Sequence, residues 1–563
     1  MSREIRDHLA FLYGAEAAAA LEPRLERLLR GRGTGKGSRR TPTQSDALLI
    51  TYGDQVREEG RTPLASLGGF LQNRAEQVVS GVHILPFFPY SSDDGFSVVD
   101  YRQVDPELGG WEDVAALRER FQLMFDAVFN HCSAKSTWFQ RFLEWDSEYR
   151  HWFITVEGDP DLSQVVRPRA LPLLTTFSTA DGYKRVWTTF SEDQVDLNAK
   201  DPEVLLELID TLLFYVEQGA AFVRLDAIGF LWKEIGTSCI HLPQTHHVIQ
   251  LMRSVLDLCA PETVLITETN VPHKDNISYF GNGHNEAQLV YNFALPPLVL
   301  HTLATGSAEA LTRWASTLEP PTPDVTFFNF LASHDGIGLN PARGLLSDAE
   351  IGGLVAQVER HGGFVSYKTN PDGSESPYEL NVNYFDALSD PAGDEPEEKQ
   401  VSRFLLATAI QLAMAGMPGI YFHSLFGSRG DRQGAEKSGI KRRINRQKLE
   451  REPLETELAD PASRRSQVFE GMRRLMEMRR SSAAFHPSGR QEVLSVDARV
   501  FAILRESPDG QESALCLHNV TDDEVEVELQ VPDGSSPQQA VHFQLAPYES
   551  RWQLSRVAAA LPT

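Results

Sequence analysis

Phe222-Val223-Arg224-Leu225-Asp226 is an apolar run carrying one arginine and closed by a carboxylate. The same ending recurs in Val264-Leu265-Ile266-Thr267-Glu268 and, after a longer run, in Phe328-Asn329-Phe330-Leu331-Ala332-Ser333-His334-Asp335. Earlier in the chain, Asp126 and His131 bracket Asp126-Ala127-Val128-Phe129-Asn130-His131. A carboxylate at the mouth of a buried strand is unfavourable unless it has a partner or a task. Carboxylates on successive strands of a barrel converge on one face.

Working outward, eight short apolar runs have the β-branched and aromatic character of strands: Ala47 to Tyr52, Val82 to Phe87, Leu123 to Phe129, Ala221 to Leu225, Val264 to Glu268, Leu289 to Phe293, Val325 to Phe330 and Gly419 to Phe422. Helical patterns such as Pro202 to Glu217 and Thr245 to Cys259 separate them. This alternation predicts an α/β fold, a (β/α)₈ TIM barrel, over residues 47–133 and 199–486. The stretch 134–198 is too long for an ordinary connection and reads as a small domain inserted after the third strand. A second excursion, the long loop 340–398, follows the seventh strand and is rich in Gly, Pro, Asn and Asp. From residue 487 to 563 short alternating strands predict a C-terminal antiparallel β domain, with runs at Val500 to Leu504, Ser513 to His518, Glu524 to Val531 and His542 to Leu545. Residues 1–46 read as N-terminal helix and linker. Pro23 is expected to split the helical stretch Ile5 to Leu29 in two. Gly31 to Ser38 is a flexible linker that lacks the spacing of a phosphate-binding loop.

The chain has 563 residues, of which 41% are hydrophobic, so it is globular and large enough for a catalytic domain with attachments. A formal net charge of −25 argues against nucleic acid and anionic membranes as partners, though a local arginine cluster can still hold an anionic substrate. No apolar run is long enough to span a bilayer, and the N-terminus has no basic segment leading into an apolar core. Cys132, Cys239, Cys259 and Cys516 have no CxxC spacing and fit free thiols in a reducing, cytoplasmic setting. His241, His246 and His247 lack the paired ligands of a metal site, so no metal is expected. A monomer or a homodimer is expected.

Cleaving a glycosidic bond with retention needs a nucleophilic carboxylate and an acid/base carboxyl about 5 Å apart. Asp226 and Glu268, at the tips of neighbouring strands, suit that separation. Arg224, two residues before Asp226, faces the same way on a strand and would keep that carboxylate ionised. Glu268 must start protonated and needs less cationic, more apolar surroundings. Asp335 with His334 could grip sugar hydroxyls and steady the positive charge that develops at the anomeric carbon. His131 is a second hydroxyl ligand.

These motifs resemble the α-amylase superfamily, glycoside hydrolase family thirteen, in which Asp226 would be the nucleophile, Glu268 the acid/base and Asp335 the transition-state stabiliser. Further stretches resemble its sucrose-phosphorylase-like branch: Pro86 to Val98, Gly236 to His246, Phe293 to His301 and Arg442-Arg443-Ile444-Asn445-Arg446. The resemblance covers nearly the whole chain from Ala47. It implies that Asp93 and Arg442 bind the glucose hydroxyls farthest from the cleaved bond and that Phe96 is an apolar platform for the sugar. It further implies that Phe190 flanks the reacting centre and that Gln194 lies toward the acceptor. Enzymes of this branch pass glucose between phosphate and an acceptor through a covalent glucosyl-enzyme, so inorganic phosphate is a co-substrate and no cofactor is expected. Asn130 stands where related amylases can hold calcium, on which this branch does not depend.

Arg167 to Thr175, Glu268 to Asn276 and His334 to Leu346 resemble members of the branch whose acceptor is D-glycerate. The expected partners are therefore a small-molecule glucoside, phosphate and D-glycerate. Both anions need fixed cations, and Arg169 and Arg343 are the candidates, ahead of His273 and Lys274. Fructose 6-phosphate would suit the same cations and is the alternative acceptor, followed by fructose. A hydrolase would keep the same carboxylates and differ in its indifference to phosphate. A non-catalytic barrel would be expected to lack at least one of the three carboxylates, and all are present.

Overall fold

Eight parallel strands close into a barrel in the computed structural model, which describes residues 2–32, 37–169, 171–320, 322–370, 373–531 and 539–556. In chain order they are β1 (Leu48–Thr51), β2 (Gly81–Ile84), β3 (Gln122–Ala127), β4 (Ala220–Leu225), β5 (Val264–Thr267), β6 (Leu289–Tyr291), β7 (Thr326–Asn329) and β8 (Met417–Tyr421). Each pairs with the next in chain order, β7 reaching β8 across the second excursion, and β8 closes on β1. A parallel strand covered on both faces is a near-continuous apolar run, and β1, β5 and β7 are buried along their whole length. The register sets the site: Asp126 of β3 lies opposite Arg224 of β4, and Leu225 lies opposite Thr267 of β5, so Asp226 and Glu268 leave the barrel side by side.

Helix starts follow local chemistry. Asp201 caps the helix Pro202–Glu217 by accepting from the Glu203 N–H, with proline at a first-turn position where its missing donor is not needed. Ser347 and Glu350 form a reciprocal capping box on the helix Asp348–Arg360.

The N-terminal stretch differs from the sequence reading. Two helices, α1 (Arg3–Tyr13) and α2 (Ala15–Leu29), meet at Gly14 (φ 82°, ψ 160°), and Pro23 lies inside α2. Glycine takes that backbone conformation without strain, whereas Pro23 removes one helical hydrogen bond from a helix held by buried Leu21 and Leu25. Helix α1 docks on α3 (Pro243–Cys259), with the Phe11 ring stacked 3.6 Å from that of His247. The expected linker Gly31 to Ser38 falls partly outside the described residues, at 33–36.

The stretch after β3 is pinned at its neck, where His131–Ser133 pairs antiparallel with Gln194–Asp196, and carries a hairpin of Leu174–Thr179 with Gly182–Trp187. The excursion after β7 is not merely a loop. It holds the helix Asp348–Arg360 and an antiparallel sheet of Ile337–Gly338, Glu375–Asn381 and Phe364–Thr369. The C-terminal region has a four-stranded sheet of Arg490–Leu494, Val500–Glu506, Glu512–Asn519 and Ser550–Arg556, plus the hairpin Val525–Val531 with Gln539–Leu545. The end of the C-terminal expectation, residues 532–538 and 557–563, lies outside the described residues. No described helix is long and apolar enough to cross a membrane.

Candidate active site

The ends of β3, β4, β5 and β7 deliver Asp126, Asp226, Glu268 and Asp335 to one region, and the last three line a cavity of about 120 Å³. Arg224 is the hub. Its side chain is 2% exposed, and its Nη1 donates to Asp226 Oδ1 at 2.7 Å and to Asp126 Oδ1. Nη2 stands 3.8 Å from Glu268 Oε2. Asp126 is in turn bonded by His83 Nε2 at 2.6 Å, so a buried relay fixes the arginine. Ala227, directly after the first carboxylate, turns the chain through φ 47° and ψ 28° and donates its N–H to Glu268 Oε2 at 3.0 Å. A non-glycine residue in the left-handed region is strained, and here the strain joins the two carboxylates.

Burial and the facing Glu268 push Asp226 up to about 8, against the pull of Arg224. Burial and Asp335 likewise raise Glu268. Two facing buried carboxyls titrate as a pair and retain one proton where an isolated carboxyl would have none. Hydrogen bonding assigns the charge to Asp226, which has Arg224 at 2.7 Å, and the proton to Glu268, which has the guanidinium only at 3.8 Å. Asp335 differs from both: burial would raise it, but the Arg442 and Arg446 guanidinium groups hold it well below the usual carboxylate range.

Arg442 Nη1 lies 2.6 Å from Asp335 Oδ1, and its other edge makes a bidentate pair with Glu379 at 2.9 and 2.7 Å. Arg446 Nε donates to the His334 carbonyl at 2.8 Å, and Asn445 Nδ2 donates to the Asp335 carbonyl at 2.8 Å. The Arg442–Arg446 segment thus buttresses the chain beyond β7. Phe96 and His334 stack face to face, 4.6 Å apart at 7°. Burial lowers His334 and pulls His131 down to about 4, so both imidazoles are neutral near pH 7. Asp93, at φ 54°, accepts from Arg169 Nη2 at 3.1 Å and from Gln194 Nε2 at 3.3 Å. Gln194 Nε2 also lies 3.3 Å from His131 Nε2. Phe190 packs on His131 and lies beneath the Arg169 guanidinium.

The structure therefore brings together Asp93, Phe96, His131, Arg169, Phe190, Gln194, His334 and Arg442 around the three carboxylates. Arg224 sits beneath them. Arg343 is not in the lining: its Nη2 donates to the Pro377 carbonyl at 3.1 Å and its Nη1 lies 3.8 Å from Asp348. His273 and Lys274 do not line it either, and the His273 ring packs on Phe327 and Trp314. Sequence reasoning missed Glu379, His83 and Lys368. Glu379 and Lys368 come from the sheet inside the second excursion, and His83 carries no motif signal. Lys233 was also missed. Its buried Nζ donates to Asn130 Oδ1 at 2.6 Å and lies 2.5 Å from Asp196 Oδ2, filling with an ammonium the place where those oxygens could hold a cation. Among the described residues no group of three or more His, Cys, Asp or Glu is arranged for a metal ion.

The α-amylase catalytic-domain model matches residues 75–335. The chain is 53% identical to the glucosylglycerate phosphorylase of Allomeiothermus silvanus, over 93% of each chain. It is 49% identical to that of Escherichia coli, over 91% of each. Among solved structures, sucrose 6F-phosphate phosphorylase from Thermoanaerobacter thermosaccharolyticum superposes with a TM-score of 0.74 at 26% identity, covering 89% of this chain and 98% of that one. The barrel, the carboxylates at its mouth and this identity along nearly the whole chain lead to one conclusion: the protein belongs to the α-amylase superfamily, in its sucrose-phosphorylase-like branch.

Proposed function

We propose that the protein is a glucosylglycerate phosphorylase, a retaining glucosyl-transferring enzyme. It would convert 2-O-α-D-glucosyl-D-glycerate and phosphate reversibly to α-D-glucose 1-phosphate and D-glycerate. The observation that carries this reading is the identity of 49 to 53% to two such enzymes over more than nine-tenths of the chain. The geometry supplies a route. Asp226 attacks the anomeric carbon as the bond to the glycerate oxygen breaks, and that oxygen takes the proton of Glu268. Asp335, held ionised by its arginines, faces the positive charge that spreads over the sugar ring. A phosphate oxygen then attacks the same carbon from the side the glycerate left. The ester bond to Asp226 breaks, and the proton of the attacking phosphate passes to Glu268. Two inversions give net retention. Asp93 and Arg442 would hold the remote glucose hydroxyls, with His131 and His334 as neutral hydroxyl ligands and Phe96 and Phe190 as apolar walls. Four free thiols, three of them buried, suit a reducing cytoplasm.

The test is to incubate the glucoside with and without phosphate. The α anomer of glucose 1-phosphate should form at a rate that rises with phosphate. Free glucose released at a rate independent of phosphate would instead identify a hydrolase.

A further inference from the structure

The geometry points to Lys368 as the residue that holds the anionic group on the acceptor side, phosphate in one direction and the carboxylate of the acceptor in the other. This rests on the function proposed above and adds a residue outside every motif that led to it.

The cavity is lined by four cationic side chains, Arg167, Arg169, Lys368 and Arg442. Three already have partners. Arg442 is committed to Glu379 and Asp335. Arg169 bonds Asp93 and lies over the Phe190 ring, and Arg167 donates to the Leu171 carbonyl. Lys368 alone of the four has no hydrogen bond or ion pair among the described residues. It is half-buried. Burial, with the neighbouring Arg343 adding to it, lowers its proton affinity. A partly desolvated ammonium beside a second cation and without a counter-ion is unfavourable, and an anion in the cavity relieves it.

The support is also built for this task. Lys368 lies on the Phe364–Thr369 strand, opposite Ser376 of the strand that carries Tyr378 and Glu379, two further lining residues. Arg343 bonds the Pro377 carbonyl of that same strand and is not among the lining residues, so its charge adds to that of Lys368 without entering the cavity. The two anions that must alternate differ in shape, one tetrahedral and one planar. An ammonium on a flexible stem acts as a point charge and accommodates both, whereas a guanidinium fork selects one bidentate geometry.

The experiment loads the enzyme from α-D-glucosyl fluoride, a donor without an acceptor-side anion. It then measures how the glucosyl-enzyme partitions among D-glycerate, phosphate, glycerol and water. Partition ratios do not depend on how much enzyme folds. In the unchanged enzyme D-glycerate and phosphate should both be strongly preferred to neutral glycerol. In Lys368→Met both preferences should fall about ten-fold or more, and Lys368→Arg should restore more of one than of the other. If the unchanged enzyme prefers the anions and Lys368→Met prefers them equally, the anion is held elsewhere and the assignment is overturned. If the unchanged enzyme shows no preference for either anion, the proposed function itself falls, and this assignment with it.

Discussion

Asp226 and Glu268 are chemically similar side chains separated in role by one guanidinium. Removing the nucleophile in Asp226→Asn should lower transfer by about three orders of magnitude or more, with thermal unfolding and circular dichroism little changed. Glu268→Gln should lower turnover of the natural glucoside by about 10²- to 10⁴-fold. It should reduce glucosylation by α-glucosyl fluoride far less, because fluoride leaves without a proton. The shared proton also fixes a pH dependence. Burial raises both carboxyls, so the pair keeps one proton to higher pH than an isolated carboxyl would and loses it on the alkaline side. Glucoside cleavage should therefore fall as pH rises past that point, and in Glu268→Gln the alkaline limb should flatten when the fluoride donor is used. The three carboxylates and Arg224 were legible because each closes or interrupts an apolar run. Their partners were not: Glu379 and Lys368 reach the site only through the pairing of Glu375–Asn381 with its neighbours, a tertiary fact that no local pattern records.

The barrel strands were legible because burial on both faces demands unbroken apolar runs, and all eight lie where such runs occur. Mixed-polarity elements were harder. Arg490–Leu494 and Ser550–Arg556 are mostly polar, lie at the two edges of their sheet and were not expected as strands. Pro23 was given a break that Gly14 makes. The second excursion looked irregular because its turns dominate its composition, yet it supplies one wall of the cavity. At the neck of the insertion, Lys233 joins the segment after β4 to Asp196 with both side chains almost fully buried, at 2% and 0%. Removing one partner of such a pair leaves an uncompensated charge, and Lys233→Met should destabilise the fold by about 3–5 kcal/mol. Denaturant unfolding would read this directly. The double variant Lys233→Met, Asp196→Asn should recover part of the loss, because no buried charge is then left alone.

The molecule as a whole carries a formal charge of −25 and, by this account, handles two anionic substrates. The reconciliation is local: Arg167, Arg169, Arg442 and Lys368 line the cavity, and Arg224, Arg343 and Arg446 stand close behind. The acceptor is where composition and fold say least, since a sugar phosphate, a neutral sugar and a small hydroxy acid could all be served by the same barrel. The decisive measurement is phosphate release from α-D-glucose 1-phosphate in the presence, one at a time, of D-glycerate, fructose 6-phosphate, fructose, glycerol and water. Rapid release with D-glycerate, far above every other acceptor, is the predicted result. Rapid release with fructose 6-phosphate and none with D-glycerate would contradict the proposed acceptor, and release no faster than with water alone would contradict the phosphorylase itself.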